Sequence, residues 1–241
     1  MRIKDFLQIP ADQRRARVLA SGAVTEGQYT AAMKVASQIP NMSVEKAFFK
    51  VMGERVITPS SLVNFIVKAR FIPLGAHDIP PVAEADLEEV DPPEGDLDVL
   101  QGRKRLVRTK DGKRAFQKAT EDKIQPPLAH APYFARDVAP KWHVFLADSK
   151  QGKIAVPPFT FSTFDKPIVD ASGKPTFNMQ TLKMQFQAPP QVGRYTFVMH
   201  LVCDSYVDMD TKLDVTLVVE DMSKADEIKA DEDISEPEEG K

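Results

Sequence analysis

The spacing of apolar positions changes once along the chain. Over the first 73 residues it follows intervals of three and four, which is typical of amphipathic helices. Thr25, Ser43 and Thr58 stand where they can cap such helices, and a short helix or helix pair is expected within residues 2–20. The apolar faces are Tyr29, Ala32, Met33, Ala36 and Ile39, then Val44, Ala47, Phe48, Val51 and Met52, then Leu62, Val63, Ile66 and Ala69. The sequence predicts a small helical bundle over residues 1–80.

After about residue 130 apolar and polar residues alternate, which is typical of strands with one buried face. Turn residues separate the alternating runs, and no helical pattern intervenes. One face of each run comprises Trp142, Val144 and Leu146; Phe159 and Phe161; Leu182, Met184 and Phe186; Tyr195, Phe197, Met199, Leu201 and Cys203; and Leu213, Val215, Leu217 and Val219. The fold class is therefore predicted as α+β, with an antiparallel sandwich over residues 129–220.

The stretch HLVCDSYVDMD (200–210) places a thiol, an imidazole and three carboxylates close together in sequence. Cys203 shares the parity of the apolar face, whereas His200 has the opposite parity, so the two side chains should leave opposite faces of the sheet. In a catalytic dyad the thiol and the imidazole must lie within hydrogen-bond distance of each other, and side chains on opposite faces of a sheet do not. The aspartates are typical of a turn. We interpret the stretch as a strand end followed by a turn.

No other part of the chain carries a recognisable catalytic or metal-binding motif. Nucleotide-binding loops, nucleophile elbows, zinc-protease motifs and paired cysteines are absent from the sequence. The four histidines have no metal-ligand spacing between them: His77, His130, His143 and His200. The sequence therefore predicts a protein that is not an enzyme, with no catalytic residues, no metal, no cofactor and no small-molecule substrate.

Charge is distributed unevenly along the 241 residues. Residues 84–98 hold eight acids and no base, and residues 103–118 hold eight bases and one acid. Together with nearby prolines this favours a charged linker or insert over residues 81–128. The basic run has an alternative interpretation as a nucleic-acid patch, but it lacks interleaved aromatic residues. The single cysteine suits a reducing compartment, and no apolar run is long enough to span a bilayer.

Four segments carry a family resemblance. GRYTFVMHLV with CDSYVDMD resembles the last hairpin of a domain shared by Sec sixty-three and spliceosomal Ski2-like helicases. Three longer segments, at 44–73, 126–168 and 173–206, are similar to fungal Sec sixty-three. They begin VEKAFFKVMGERVITP, PPLAHAPYFARDVAPKWHVF and GKPTFNMQTLKMQF. The resemblance implies a helical bundle followed by a fibronectin type III-like sandwich. Asp208 departs from it, since glycine is expected there, but aspartate tolerates a left-handed backbone.

The resemblance also implies a role and a location. The family acts at the endoplasmic-reticulum membrane in post-translational protein translocation, with the Sec sixty-one channel complex, Sec sixty-two and other subunits of that complex. This chain is expected to be a carboxy-terminal part on the cytosolic face. It lacks the His-Pro-Asp tripeptide through which a J-domain recruits the chaperone BiP. The alternative interpretation is an accessory module of a Ski2-like RNA helicase. Such a module usually occurs together with helicase motifs, and these are absent from this sequence. We therefore expect no nucleic-acid partner.

A docking surface is predicted on the outward side of the long strand. Thr196, Val198, His200 and Val202 make that side more apolar than a solvated face requires, and Phe145 is similarly out of phase. The helical bundle is one candidate cover, and a basic loop of the channel is the other. The docking residues proposed for the channel are Val198, His200, Asp204, Asp208 and Asp210.

The acidic tail, residues 221–241, is expected to be disordered, because it has almost no large apolar side chains. The resemblance identifies its partner as a basic region of Sec sixty-two, and the alternative is a merely solubilising tail. The residues expected to bind are Asp231, Glu232, Asp233, Glu236, Glu238 and Glu239. Ser235 lies among them, in a setting that suits phosphorylation by an acid-directed kinase.

Overall fold

The computed structural model describes residues 3–37, 39–74, 76, 78–89, 106–108, 114–116, 124–131, 133–148 and 150–224. Its helices are α1 (Ile3–Gln8), α2 (Ala11–Ala20) and α3 (Glu26–Ala36), and a 3₁₀ turn spans Glu84–Leu87. Its strands are β1 (Met42–Lys50), β2 (Leu62–Phe71), β3 (Leu106–Arg108), β4 (Arg114–Phe116), β5 (Trp142–Asp148), β6 (Lys153–Phe161), β7 (Met179–Gln187), β8 (Gly193–Cys203) and β9 (Thr211–Val219).

Two antiparallel sheets dominate the described part of the chain in a sandwich-like arrangement. The three-stranded sheet has the order β1-β2-β7, and the four-stranded sheet has the order β6-β5-β8-β9. Buried residues of both sheets belong to one core cluster. The rings of Phe71 and Trp142 make an edge contact across the core at 5.0 Å. The five strands predicted after residue 130 are therefore confirmed, and all of them lie in this arrangement.

The predicted start of α3 is also confirmed. The Thr25 hydroxyl accepts a hydrogen bond from the Gln28 N–H at 3.4 Å, and the Gln28 side chain accepts one from the Thr25 N–H at 2.9 Å. This reciprocal capping box satisfies two N–H groups that a helix start leaves unpaired. The helix ends at Ala36, and α1 and α2 fill the region where a short helix or pair was expected.

The predicted helices after Ser43 and after Thr58 are wrong, because both segments are strands. β1 pairs antiparallel with β2, and β2 pairs on its other side with β7, where Phe65 lies opposite Met184. The helical bundle predicted over residues 1–80 is therefore not confirmed, since its second half supplies two strands to a sheet. The division into 1–80, 81–128, 129–220 and 221–241 stays a prediction, although β2 and β7 pair across it.

The outer face of the three-stranded sheet carries charged side chains that are nevertheless buried. Lys68 and Arg70 project outward from the central strand β2, yet they are only 5% and 8% exposed. Residues 78–89, which we call the strap, supply partners for both of them. The Pro80 carbonyl accepts a hydrogen bond from Arg70 at 2.7 Å, and the Glu89 carboxylate binds Lys68 at 2.8 Å. Burial of these cations is tolerated because they are paired.

Glu89 connects all three strands of that sheet. Its carboxylate pairs with Lys68 of β2 and Lys183 of β7, and its carbonyl accepts a hydrogen bond from Lys50 of β1 at 2.7 Å. Burial alone would raise the pKa of Glu89, but the hydrogen bonds from Lys183 and Lys68 outweigh it and lower the pKa below its usual value. The ionised Glu89 carboxylate therefore binds the strap to the sheet through Lys68 and Lys183.

Candidate docking surface

The structure confirms that Cys203 and His200 leave β8 on opposite faces. Cys203 is 6% exposed and belongs to the core cluster, whereas His200 is half-buried on the outer face. Burial raises the pKa of the Cys203 thiol, so the reactive thiolate is disfavoured. The described residues contain no group of three or more histidine, cysteine or acidic side chains that could hold a metal ion. The stretch is a strand end, as predicted.

The aspartates of the β8–β9 turn hold its backbone in place. Asp204 accepts a hydrogen bond from the Lys141 N–H at 2.9 Å and a second from the Ser205 hydroxyl at 2.6 Å. Burial opposes ionisation of Asp204, but these bonds outweigh it and lower its pKa. Asp210 accepts a weaker hydrogen bond from the Cys203 N–H at 3.4 Å. Asp204 and Asp210 therefore have structural roles within the turn.

Asp208 adopts the left-handed backbone conformation that the sequence anticipated. Its φ is +66°, a value that glycine adopts without strain and that aspartate adopts more readily than most residues. The departure from glycine at this position therefore leaves the hairpin intact. Substitution of Asp208 by glycine would remove the carboxylate, together with the interaction that Asp208 makes in the structure, without imposing backbone strain.

The outer face of the four-stranded sheet presents a row of partly exposed apolar side chains. Phe145 lies directly opposite His200 in the β5–β8 pairing, and their rings stack at 4.7 Å with an angle of 3° between the planes. Val198 lies opposite Ala147 in the next row, and Val202 lies opposite His143. All of these side chains remain half-buried. Such a row is suited to contact with another apolar surface.

Charged residues of β9 flank this row. Lys212 lies opposite His200, and Asp214 lies opposite Val198. Burial lowers the pKa of His200 below its usual value, and Lys212 adds to that shift while Asp210 opposes it. His200 therefore presents an uncharged ring at neutral pH, which favours stacking on Phe145 and burial under a partner. The predicted residues Val198, His200 and Asp210 thus share one region, whereas Asp204 and Asp208 lie beyond the end of the strand.

An internal cover by the helices remains a prediction. Leu7, Ala36 and Ile39, from the helical part of the chain, belong to the same buried cluster as the sandwich core, whereas Phe145 and Val198 do not. The predicted tail residues Asp231, Glu232, Asp233, Glu236, Glu238 and Glu239 lie outside the described residues, as does Ser235.

Sequence reasoning missed one group of exposed apolar residues. Tyr133, Phe134 and Val207 are 102%, 64% and 87% exposed. They lie in the loops on either side of the paired residues Trp142 and Cys203, and therefore at one end of the sandwich. No periodic pattern marks a loop, so only the adjacent aromatic pair at 133–134 could have indicated them.

Comparison with known proteins finds similarity to a translocation protein. No family model matches the chain. The chain is 25% identical over 211 residues to the "Translocation protein sec63" of Schizosaccharomyces pombe, an alignment that covers 84% of the chain and 30% of that protein. The chain therefore spans about a third of the length of this relative. The comparison confirms the resemblance to Sec sixty-three predicted from the sequence. No helix in the described residues is long and apolar enough to cross a membrane.

Proposed function

We propose that this chain is a non-catalytic interaction module of the post-translational translocation complex, on the cytosolic face of the endoplasmic-reticulum membrane. The observation that carries the proposal is the similarity to a translocation protein over 84% of the chain. Two features of the site agree with a binding role. The only cysteine is buried, and the outer face of the four-stranded sheet presents partly exposed apolar side chains.

The sandwich that presents this face is of the immunoglobulin and fibronectin type III kind in this proposal. Two observations support this assignment. A three-stranded sheet faces a four-stranded sheet, and the buried Trp142 lies in β5, the first strand of the four-stranded sheet along the chain. Tyr195, near the start of β8, donates a hydrogen bond to the Gln191 carbonyl at 2.9 Å. This resembles the tyrosine corner of such sandwiches. The fibronectin-like unit then begins at β1 rather than at residue 129.

The docking partner proposed for this face is a cytosolic loop of the Sec sixty-one channel. Cytosolic loops of membrane proteins are enriched in lysine and arginine, so a partner surface should combine apolar contact with negative charge. Phe145, Val198 and His200 supply the apolar part. Asp214, opposite Val198, supplies a carboxylate beside it, and Asp208 supplies another in the turn beyond the end of β8. Docking would favour the open gate of the channel.

Introducing a cation into this face is expected to reduce docking. Val198→Arg combined with Asp208→Gly places a positive charge in the apolar row and removes a negative one without backbone strain. We expect at least a tenfold loss of affinity for the purified channel, with an unchanged circular dichroism spectrum. Asp210 is left intact because it accepts the Cys203 N–H.

Gln185→Arg is the matched control, since Gln185 is exposed on β7 of the other sheet. It adds the same positive charge as Val198→Arg alone and should leave channel affinity unchanged. If the double variant folds and still binds the channel as tightly as the unaltered protein at elevated salt, the docking surface lies elsewhere on the chain.

The acidic tail is proposed to bind a basic segment of Sec sixty-two. Deleting residues 225–241 preserves the Glu220 N–H bond to the Ile57 carbonyl, which ties the end of β9 to the sandwich. We expect the deletion to abolish Sec sixty-two binding at physiological salt without changing the melting temperature. Phosphorylation at Ser235 should strengthen binding, because it adds roughly −1.5 to −2 charge. Full binding by the truncated chain would show that the tail is only solubilising.

A further inference from the structure

A closed loop before β5 presents two aromatic side chains to solvent. The Ala129 N–H donates to the Val138 carbonyl at 2.8 Å and closes the loop, and the Phe134 N–H donates to the Ala131 carbonyl at 3.0 Å within it. Tyr133 and Phe134 lie between these bonds, and Tyr133 is as exposed as it would be in an extended peptide. Backbone hydrogen bonds hold the loop closed, so its conformation does not depend on burial of its aromatic side chains. Those side chains are therefore available for contact with a partner.

A second loop supports the first. Tyr206, in the β8–β9 turn, is half-buried and hydrogen-bonded to the backbone of His130, which joins the turn to the closed loop. Val207 follows at once and is 87% exposed, and Leu128 at the base of the closed loop is 54% exposed. We call Leu128, Tyr133, Phe134 and Val207 the apolar tip. Large apolar side chains grouped in this way on a surface mark an interaction site.

The shape and charge of the apolar tip indicate which partner it fits. Its two aromatic residues stand on a loop and are largely exposed, so a deformable partner that can surround them suits them better than a flat one. The charges beside the aromatic pair balance, since Arg136 is followed by Asp137. Tyrosine is favoured at the boundary between lipid and water, where its ring is buried and its hydroxyl stays hydrated.

We propose that the apolar tip inserts into the headgroup region of a lipid bilayer. The chain then contacts a membrane surface through Tyr133, Phe134 and Val207 without spanning it. A few apolar side chains give weak and reversible binding, no stronger than the roughly 10⁴ M⁻¹ of a single myristoyl chain. Because the charges beside the aromatic pair balance and Asp204 and Asp208 lie nearby, binding should need no anionic lipid and should depend little on salt.

Flotation of the full 241-residue chain with protein-free vesicles tests the proposal. Phosphatidylcholine vesicles, with and without phosphatidylserine, are used at two salt concentrations. We expect the chain to float with both kinds of vesicle, and Tyr133→Ser combined with Phe134→Ser to reduce the bound fraction about tenfold. Ile154→Ser combined with Val192→Ser is the matched control, since these residues are 59% and 53% exposed at the opposite end of the sandwich.

The control variant should float like the unaltered chain, and both variants should keep its melting temperature. Failure of the unaltered chain to float at millimolar lipid would overturn the proposal. So would undiminished flotation of the tip variant, or flotation only with phosphatidylserine at low salt. The assay contains no channel, so its result is independent of the proposed docking on Sec sixty-one.

Discussion

Replacing Trp142 by alanine is expected to lower the free energy of unfolding by about 3–5 kcal/mol, the range for truncating large aromatic side chains in cores. The indole is fully buried between the sheets. Its ring contacts Phe71 of the facing sheet at 5.0 Å and Phe164 at 5.5 Å, both edge to face. Denaturant unfolding followed by circular dichroism measures the change, because the variant has lost its only tryptophan.

Trp142→Phe is the control for the chemistry of the ring. The indole N–H is buried and has no hydrogen-bond partner among the described residues, so losing it should cost little. We expect a smaller loss of about 1–2 kcal/mol for the altered volume and shape. Equal effects of alanine and phenylalanine would contradict the placement of this ring in an aromatic contact between the sheets.

Replacing Glu89 by glutamine is expected to destabilise the protein by about 3 kcal/mol, at the lower end of the range for breaking a buried ion pair. The substitution preserves the shape of the side chain but leaves the buried Lys68 ammonium without a counter-charge. Lys183 also loses its pairing with the same carboxylate. The measurement is the shift in the urea midpoint at neutral pH.

Glu88→Gln is the matched control, since Glu88 is the exposed neighbour in the same strap and should change stability by less than about 0.5 kcal/mol. The effect of Glu89 should also depend on pH. Because its folded-state pKa is lowered, its stabilisation is fully present above the unfolded pKa and is lost as pH falls through the folded one. A difference between Glu89→Gln and the unaltered protein that persists undiminished at strongly acidic pH would contradict this pairing.

The later strands could be predicted because their alternation is uninterrupted. From Tyr195 to Cys203 every second residue is apolar, and the structure gives those residues to the interior side of β8. The opposite orientations of Cys203 and His200 followed from the same parity. The cap at Thr25 could be predicted because its hydrogen bonds are local. These features need only neighbours in sequence.

β1 was mistaken for a helix because a bulge interrupts its alternation. The register with β2 shifts between Val44 and Lys46, so Glu45 is an extra residue. Inward positions are Val44 before the bulge and Ala47, Phe49 and Val51 after it. An interval of three at the bulge, together with the outward Phe48, imitates the spacing of a helix. Tertiary pairing overrides that local pattern.

β2 was missed for a different reason. Val63, Phe65, Val67, Ala69 and Phe71 alternate as a strand should. The outward Ile66 is also apolar, so a helical interpretation fitted equally well. The sequence pattern predicts that the outward cations Lys68 and Arg70 are exposed to solvent. In the structure the strap covers them and they are buried. The pattern of apolar and polar residues within a strand does not show that a segment outside the sheet, here the strap, packs over that strand.

The candidate surface was predicted in part. Out-of-phase apolar residues at Val198 and Phe145 indicated the outer face, because strand parity is readable in sequence. The structural roles of Asp204 and Asp210 were not readable, since Asp204 bonds to Lys141, 63 residues earlier in the chain. The apolar tip depends on two loops that meet only in the fold.

The most direct test of the interaction module is equilibrium binding of the full chain to two immobilised targets under identical low-salt buffer. One target is the purified Sec sixty-one channel complex, and the other is single-stranded RNA. We expect saturable binding to the channel and no retention on RNA, whose phosphates the acidic tail repels. Retention on RNA without binding to the channel would contradict it and would favour an accessory module of a Ski2-like helicase.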